Sequence, residues 1–274
     1  MLAPLTRFDR DTTVVRSSPG QYRGDIDPGW WIVAGPNGGY VAAILLRALT
    51  HEVNDPARAP RSLTVHYLRP PAVGPVDVAV KIERTGRTLT TASAALLQGG
   101  RVLALSLAAF ATSREGFSFD DRPKPALRPA SECPRFRDKY PGGVEMQNRY
   151  DARWGLGGEL GAGEDRALLG GWIRFDEPRV ADALAVAAYT DAFAPAVFTR
   201  ATSRSGIGPV PTIDLTIHFR APLPLPNART DDYCAVVFSS TVARDGFVEE
   251  DGEVWSQDGV LLAQSRQLAL VGVG

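Results

Sequence analysis

The chain is 274 residues long, enough for one large domain or two modest ones, and its 44% hydrophobic and 22% charged residues are ordinary for a soluble globular protein. Thirty Lys and Arg stand against 31 Asp and Glu, a formal charge of −1. No block of basic residues supports binding to a nucleic-acid backbone or an anionic membrane, so a charged substrate must be held by a few local residues.

In chain order, the N-terminal MLAPLTRFDRDTTVV holds no apolar run long enough for a signal h-region. Gly35-Pro-Asn-Gly-Gly-Tyr is rich in turn formers and leads into Tyr40–Glu52, whose apolar residues predict a buried helix. Ala42, Ala43 and Ala48 keep that helix slim, so a sheet can wrap closely around it. Strands are expected over Ser62–Arg69 and Val76–Arg84, and over Thr88–Leu97, which turns through Gly99-Gly100 into Val102–Thr112. Val102–Thr112 is the most apolar segment and too short to cross a bilayer as a helix, so no membrane span is expected. Ser113–Gly143 is polar and contains prolines; it reads as a linker between a unit at 1–112 and another at 144–274. The glycine run Gly155–Gly163 reads as a loop. Trp172–Phe175 closes a short strand, and Val180–Arg200 reads as helical with Pro195 interrupting it. Strands follow at Thr212–Arg220, Tyr233–Arg244, Gly246–Gln257 and Val260–Val271.

Cys133 and Cys234 are the only cysteines, and without a secretory signal they are expected to be reduced thiols in the cytosol. His51, His66 and His218 do not build a usual zinc site with cysteines so spaced. There is no G-x-S-x-G elbow, no Walker loop and no strand followed by G-x-G-x-x-G. Serine hydrolases, nucleotide-triphosphate enzymes and common dehydrogenases are thereby disfavoured, and no metal or organic cofactor is implied.

The chain repeats itself once. Thr64-Val-His-Tyr-Leu-Arg-Pro-Pro resembles Thr216-Ile-His-Phe-Arg-Ala-Pro-Leu, an offset of 152 residues, and Gln98-Gly-Gly-Arg-Val-Leu-Ala-Leu-Ser resembles Gln257-Asp-Gly-Val-Leu-Leu-Ala-Gln-Ser, an offset of 159. Each half has one long helix followed by an antiparallel meander, the order of a hot-dog domain. Two halves side by side pair the sheet edges that either would leave open.

Three polar residues of the second half draw notice. Asp191 lies among alanines and aromatics in Ala188-Tyr-Thr-Asp-Ala-Phe-Ala-Pro-Ala, where a carboxylate is either a helix cap or a desolvated acid with a raised pKa. Thr212-Ile-Asp-Leu-Thr-Ile-His-Phe alternates, which puts Thr212, Asp214, Thr216 and His218 on one face and Ile213, Leu215, Ile217 and Phe219 on the other. Gln267 sits in a largely apolar strand. By the repeat, Gln267 falls opposite Ala108 and Thr212 opposite Pro60, so the first half lacks both polar groups and one working site is expected rather than two.

On Gly38-Gly-Tyr, His66-Tyr-Leu-Arg-Pro and the Gln98-Gly-Gly-Arg hairpin in the first half, and Thr190-Asp-Ala-Phe-Ala-Pro, Thr212-Ile-Asp, Phe219, Pro222 and Gln257-Asp-Gly-Val-Leu-Leu-Ala with Gln267 in the second, the chain resembles the type II acyl-CoA thioesterases, in a thioesterase-like branch. It departs from them at Leu215, where the family has His, and at Ala192-Phe193-Ala194. The resemblance implies an α+β double hot-dog, with two antiparallel sheets each wrapped around a long central helix and joined into one. It implies hydrolysis of a fatty acyl-CoA to free acid and CoA, with Asp191, Thr212 and Gln267 converging on one water molecule. Asn37, Gly38 and Gly39 at the helix start would contact substrate; alternatively the glycines only make the turn. Direct attack by Asp191 to form an anhydride is the other chemistry. A hot-dog hydratase or dehydratase and a non-catalytic acyl-CoA or lipid binder are the alternative functions. Nucleic acid is not an expected partner, and association into a dimer or tetramer is compatible with such sheets.

Overall fold

The computed structural model describes residues 5–202 and 206–272; the first four residues of the N-terminal stretch lie outside them. A short helix α1 (Arg7–Asp11) and strands β1 (Val15–Ser18) and β2 (Gln21–Ile26) precede the long helix α2 (Gly38–Val53) and a meander of β3 (Ala59–Tyr67), β4 (Gly74–Thr85), β5 (Leu89–Gln98) and β6 (Arg101–Ala111). The second half carries α3 (Phe136–Lys139), β7 (Tyr150–Gly157), β8 (Ala167–Phe175), α4 (Ala183–Tyr189), α5 (Val197–Arg200), β9 (Thr212–Phe219), β10 (Cys234–Ser240), β11 (Ala243–Arg244), β12 (Phe247–Ser256) and β13 (Leu261–Leu270). The first part of the glycine run is therefore strand rather than loop, because Gly155 and Gly157 extend β7 beside the glycines of β8. The expected second helix breaks at Thr190, ahead of Pro195.

The strands form one sheet whose order is its own mirror image: β2-β4-β5-β6-β3 in the first half meets β9-β13-β12-β10-β8 in the second. This is the expected double hot-dog. At the joint, Thr64 pairs with Thr216, Ser62 with His218 and His66 with Asp214, the pattern that a twofold axis through the threonines produces. The two Thr Oγ1 atoms lie 3.0 Å apart. The 152-residue offset is thus a structural repeat, and the β3–β9 ladder satisfies main-chain groups that would otherwise form two exposed edges.

From Gly38 to Leu46 helix α2 is apolar on all sides because the sheet and α4 cover it, and Ala42, Ala43, Leu45, Leu46, Ala48 and Leu49 are fully buried. Asn37 caps its start by accepting from Tyr40 N–H at 3.0 Å, and Asn54, with φ of 46°, ends it. Arg179 ties α1 to α4, bonding Asp9 and Asp182 at 2.8–3.0 Å and stacking on Phe8. Residues 113–129 carry no regular element but lie as a strap on the outer face of the second half. Arg122 pairs with Glu253, Lys124 Nζ donates to Gln257 O at 2.9 Å, and Trp172 Nε1 donates to Arg128 O at 2.7 Å. Leu127 and Cys133 pack there on Trp172 and Trp255.

Candidate active site

Asp191 lies in the break between α4 and α5, and that break directs its side chain onto the N-terminus of α2, from the other half. Its Oδ2 accepts from Gly39 N–H at 3.0 Å and from Asn37 Nδ2 at 2.8 Å. Asn37 Nδ2 also donates to the Asp191 carbonyl at 2.6 Å. One asparagine therefore starts the first half's helix and holds the second half's acid. The helix to which Asp191 is docked is α2, not the one from which it emerges, and the positive end of that 16-residue helix favours its charge. The approach leaves no room for side chains: a Cβ on Gly38 would stand 2.9 Å from Asp191 Oδ2, and one on Gly39 would stand 2.6 Å from Ala188 O. Tyr67 Oη, donating to Gly38 O at 2.8 Å, braces the same turn.

Thr212 and Gln267 meet because β9 is bulged. Leu268 pairs with Asp214 but Ala269 pairs with Thr212, leaving Ile213 as the extra residue. The bulge overturns the simple alternation that placed Thr212 with Asp214: Thr212 turns to the inner face, where its Oγ1 donates to Gln267 Oε1 at 2.9 Å. Gln267 stands on that face opposite Leu215, and its amide is near enough to Asp191 to favour the ionised carboxylate. Asp191, Thr212 and Gln267 are thus brought together from the helix break and two neighbouring strands.

A fourth polar group completes the cluster and was not foreseen. Glu250 on β12 faces Gln267 directly, and Gln267 Nε2 donates to Glu250 Oε1 at 2.7 Å. The other oxygen, Oε2, accepts from Ala196 N–H. A signal was available: Val248, Glu250, Gly252 and Val254 share a phase of two, so the middle acid of Glu249-Glu250-Asp251 falls on the buried face. The acidic run around it masked that phase.

Burial pushes Asp191 up to about 6, against the opposing pull of the Gly39 and Gly38 N–H groups, Gln267 and Asn37. Burial likewise pushes Glu250 up to about 7; the Ala196 N–H and Gln267 oppose the rise, while Asp191 and Glu249 add to it. Glu250 and Gln267 are each only 7% exposed, whereas Asp191 and Thr212 keep a partial opening to solvent. Next to Asp191, a cleft is lined by Phe136, Gln147, Tyr150, Ala192 and Phe193. The first half has the same bulge, between Pro60 and Ser62, but none of the chemistry: Pro60, Ala92 and Ala108 stand where Thr212, Glu250 and Gln267 stand in the second. Among the described residues no cluster of three or more His, Cys, Asp or Glu could hold a metal ion.

A family model described as the acyl-CoA thioesterase N-terminal domain matches residues 27–112, and one described as the acyl-CoA thioesterase C-terminal domain matches residues 121–271. A hot-dog protein of unknown function from Alicyclobacillus acidocaldarius is similar in structure, with a TM-score of 0.88 and 28% identity over 99% of this chain and 100% of that one. An acyl-CoA thioesterase II, TesB2, from Mycobacterium marinum shares the fold at a TM-score of 0.75, with 22% identity over 97% of this chain and 98% of that one. The thioesterase-like protein TwmA of Talaromyces wortmannii is 33% identical over 95 residues, which is 34% of this chain and 27% of that relative's length.

Proposed function

The chain belongs to the acyl-CoA thioesterase family, and on that premise we propose that it hydrolyses the thioester of an acyl-CoA to free acid and CoA, with Asp191 as the base. The observation that carries this reading is the juxtaposition of a desolvated but ionisable Asp191 with the Thr212–Gln267 pair at a partly open site. A water molecule held there would give one proton to the carboxylate while the other hydrogen is fixed by Thr212, leaving its lone pair for the thioester carbon. The C–S bond then breaks, and the thiolate leaves with the proton taken up by Asp191. The N–H groups of Gly38 and Gly39 at the start of α2 are taken up by Asp191, so they steady the base rather than bind the carbonyl oxygen. Direct attack by Asp191 to form an anhydride is the other chemistry, and oxygen-18 incorporation into the enzyme during a single turnover distinguishes it from water attack. No helix among the described residues is long and apolar enough to cross a membrane. Both cysteines are free thiols, which fits the reading of a cytosolic reaction.

Thiol release from a series of acyl-CoA esters, acetyl to palmitoyl, followed with a thiol reagent, tests the reading: at least one ester should be cleaved catalytically, and inertness toward all of them would refute it. Asp191 must be ionised to act, so kcat/KM should fall as pH drops through about 6, far above the ordinary carboxylate range. A profile flat down to pH 5 would remove Asp191 from the base role.

A further inference from the structure

Building on the hydrolase reading above, we infer that Glu250 is a positioning residue that sets the direction of the hydrogen-bond chain through Gln267 to Thr212, so that Thr212 offers the attacking water an acceptor rather than a proton. The direction of the chain is set by the groups in it that cannot reverse. Glu250 Oε2 accepts from the Ala196 main-chain N–H, a donor that has no other polarity. Oε1 is left for Gln267, whose Nε2 lies 2.7 Å away and can only donate. An amide with its NH2 group turned to Glu250 must turn its oxygen to the other side, where Oε1 accepts the Thr212 proton at 2.9 Å. Thr212 has then committed its single proton, and only its lone pairs face the site. Water donating one hydrogen to Thr212 and the other to Asp191 has its nucleophilic lone pair free.

A neutral side chain at 250 breaks this order. With Oε2 engaged by the Ala196 N–H, a proton on Glu250 would sit on Oε1 and meet the Gln267 N–H groups head-on. The amide would turn over, donate to Thr212, and leave the Thr212 hydroxyl pointing its proton at the lone pair that has to attack. The charged groups acting on Glu250 are Asp191 from the helix break and Glu249 from its own strand, while β13 presents only the uncharged Gln267. Both acids oppose a charge on Glu250, so its ionisation falls in the working pH range rather than well below it. Its near-complete burial, against the partial opening of Asp191 and Thr212, fits a residue that orients and does not touch substrate.

The test is the near-isosteric Glu250→Gln variant beside wild type and Asp191→Asn, each measured for kcat, KM and the pH profile of kcat/KM. Glu250→Gln is expected to lower kcat by about 10- to 100-fold with KM changed less than about twofold, the cost of misdirecting one buried hydrogen-bond chain. The wild-type acid limb should steepen to a two-proton dependence, and the residual limb of Glu250→Gln should be a one-proton dependence displaced to lower pH, since a like charge next to Asp191 has gone. A Glu250→Gln enzyme with wild-type kcat, or one with reduced kcat but an unchanged limb, overturns the inference while leaving the hydrolase reading intact. Should Glu250→Gln fail to fold, the wild-type limb decides alone: two protons support the inference and one overturns it. An inactive wild type, or a fully active Asp191→Asn, refutes the hydrolase reading and the inference with it.

Discussion

Asp191→Asn is expected to lower kcat by at least about 10²-fold, the lower end of what a positioned general base contributes, while leaving a folded protein. The substitution keeps the shape of the side chain and an acceptor for the Gly39 N–H, so the contact between the halves survives. What it removes is the proton acceptor. Its effect on stability has a definite sign. The folded pKa of Asp191, about 6, lies above the ordinary 3.8, so the native state binds that proton more tightly than the unfolded chain does. The stabilisation conferred by the protonated form is fully present below about 3.8 and is lost as pH rises through about 6; above that, a buried charge is carried at a cost. Asn carries no charge, so at pH 8 the variant should be more stable than wild type by about 1–3 kcal/mol, and near pH 4 the difference should vanish. Thermal melts at the two pH values, with kcat from thiol release, check both halves. A variant that retains near-wild-type turnover would dismiss Asp191 as the base; one less stable at pH 8 would dismiss the account of its burial.

Gly39→Ala is expected to cost about 1–3 kcal/mol and most of the activity, although alanine is intrinsically the better helix former by roughly 1 kcal/mol. The clash decides the sign. The new methyl would lie 2.6 Å from the Ala188 carbonyl oxygen, a main-chain atom of α4 that moves only if the helix moves, and 3.1 Å from Asp191 Cβ. Separating α2 from α4 lengthens the Gly39 N–H to Asp191 bond, now 3.0 Å, and carries the carboxylate away from Gln267. Gly38→Ala is the informative contrast. Its obstacles, Asp191 Oδ2 at 2.9 Å and the Tyr67 ring at 3.1 Å, are side-chain atoms that can yield. It should therefore lose activity with little loss of stability. Melting temperature and kcat for the two variants separate the cases; equal stability losses would show that the helix approach is not what Gly39 serves.

The family resemblance named Asp191, Thr212 and Gln267 as candidates and the repeat singled out the last two, while the expected strands lie within a few residues of β3–β6, β9, β10, β12 and β13. The elements that escaped, α1, β1, β2, α3 and β7, are short or weakly patterned: α1 and α3 span five and four residues, β1 is exposed at every position, and β7 is broken up by glycine. Helix α2, by contrast, announced itself through a long apolar run after the turn formers of Gly35-Pro-Asn-Gly-Gly-Tyr.

The sequence by itself determined the duplication, the sheet-and-helix order of each half and the residue types available for chemistry, because periodicity and turn formers act over a few neighbouring residues. Tertiary structure alone decided which of those residues meet. The bulge at Ile213 turns Thr212 inward against the count of two, the β12–β13 register sets Glu250 opposite Gln267, and the N-terminus of α2 receives an acid 152 residues away. Each depends on a register or a helix crossing between distant segments, and such contacts are chosen by packing of the whole core rather than by any local pattern.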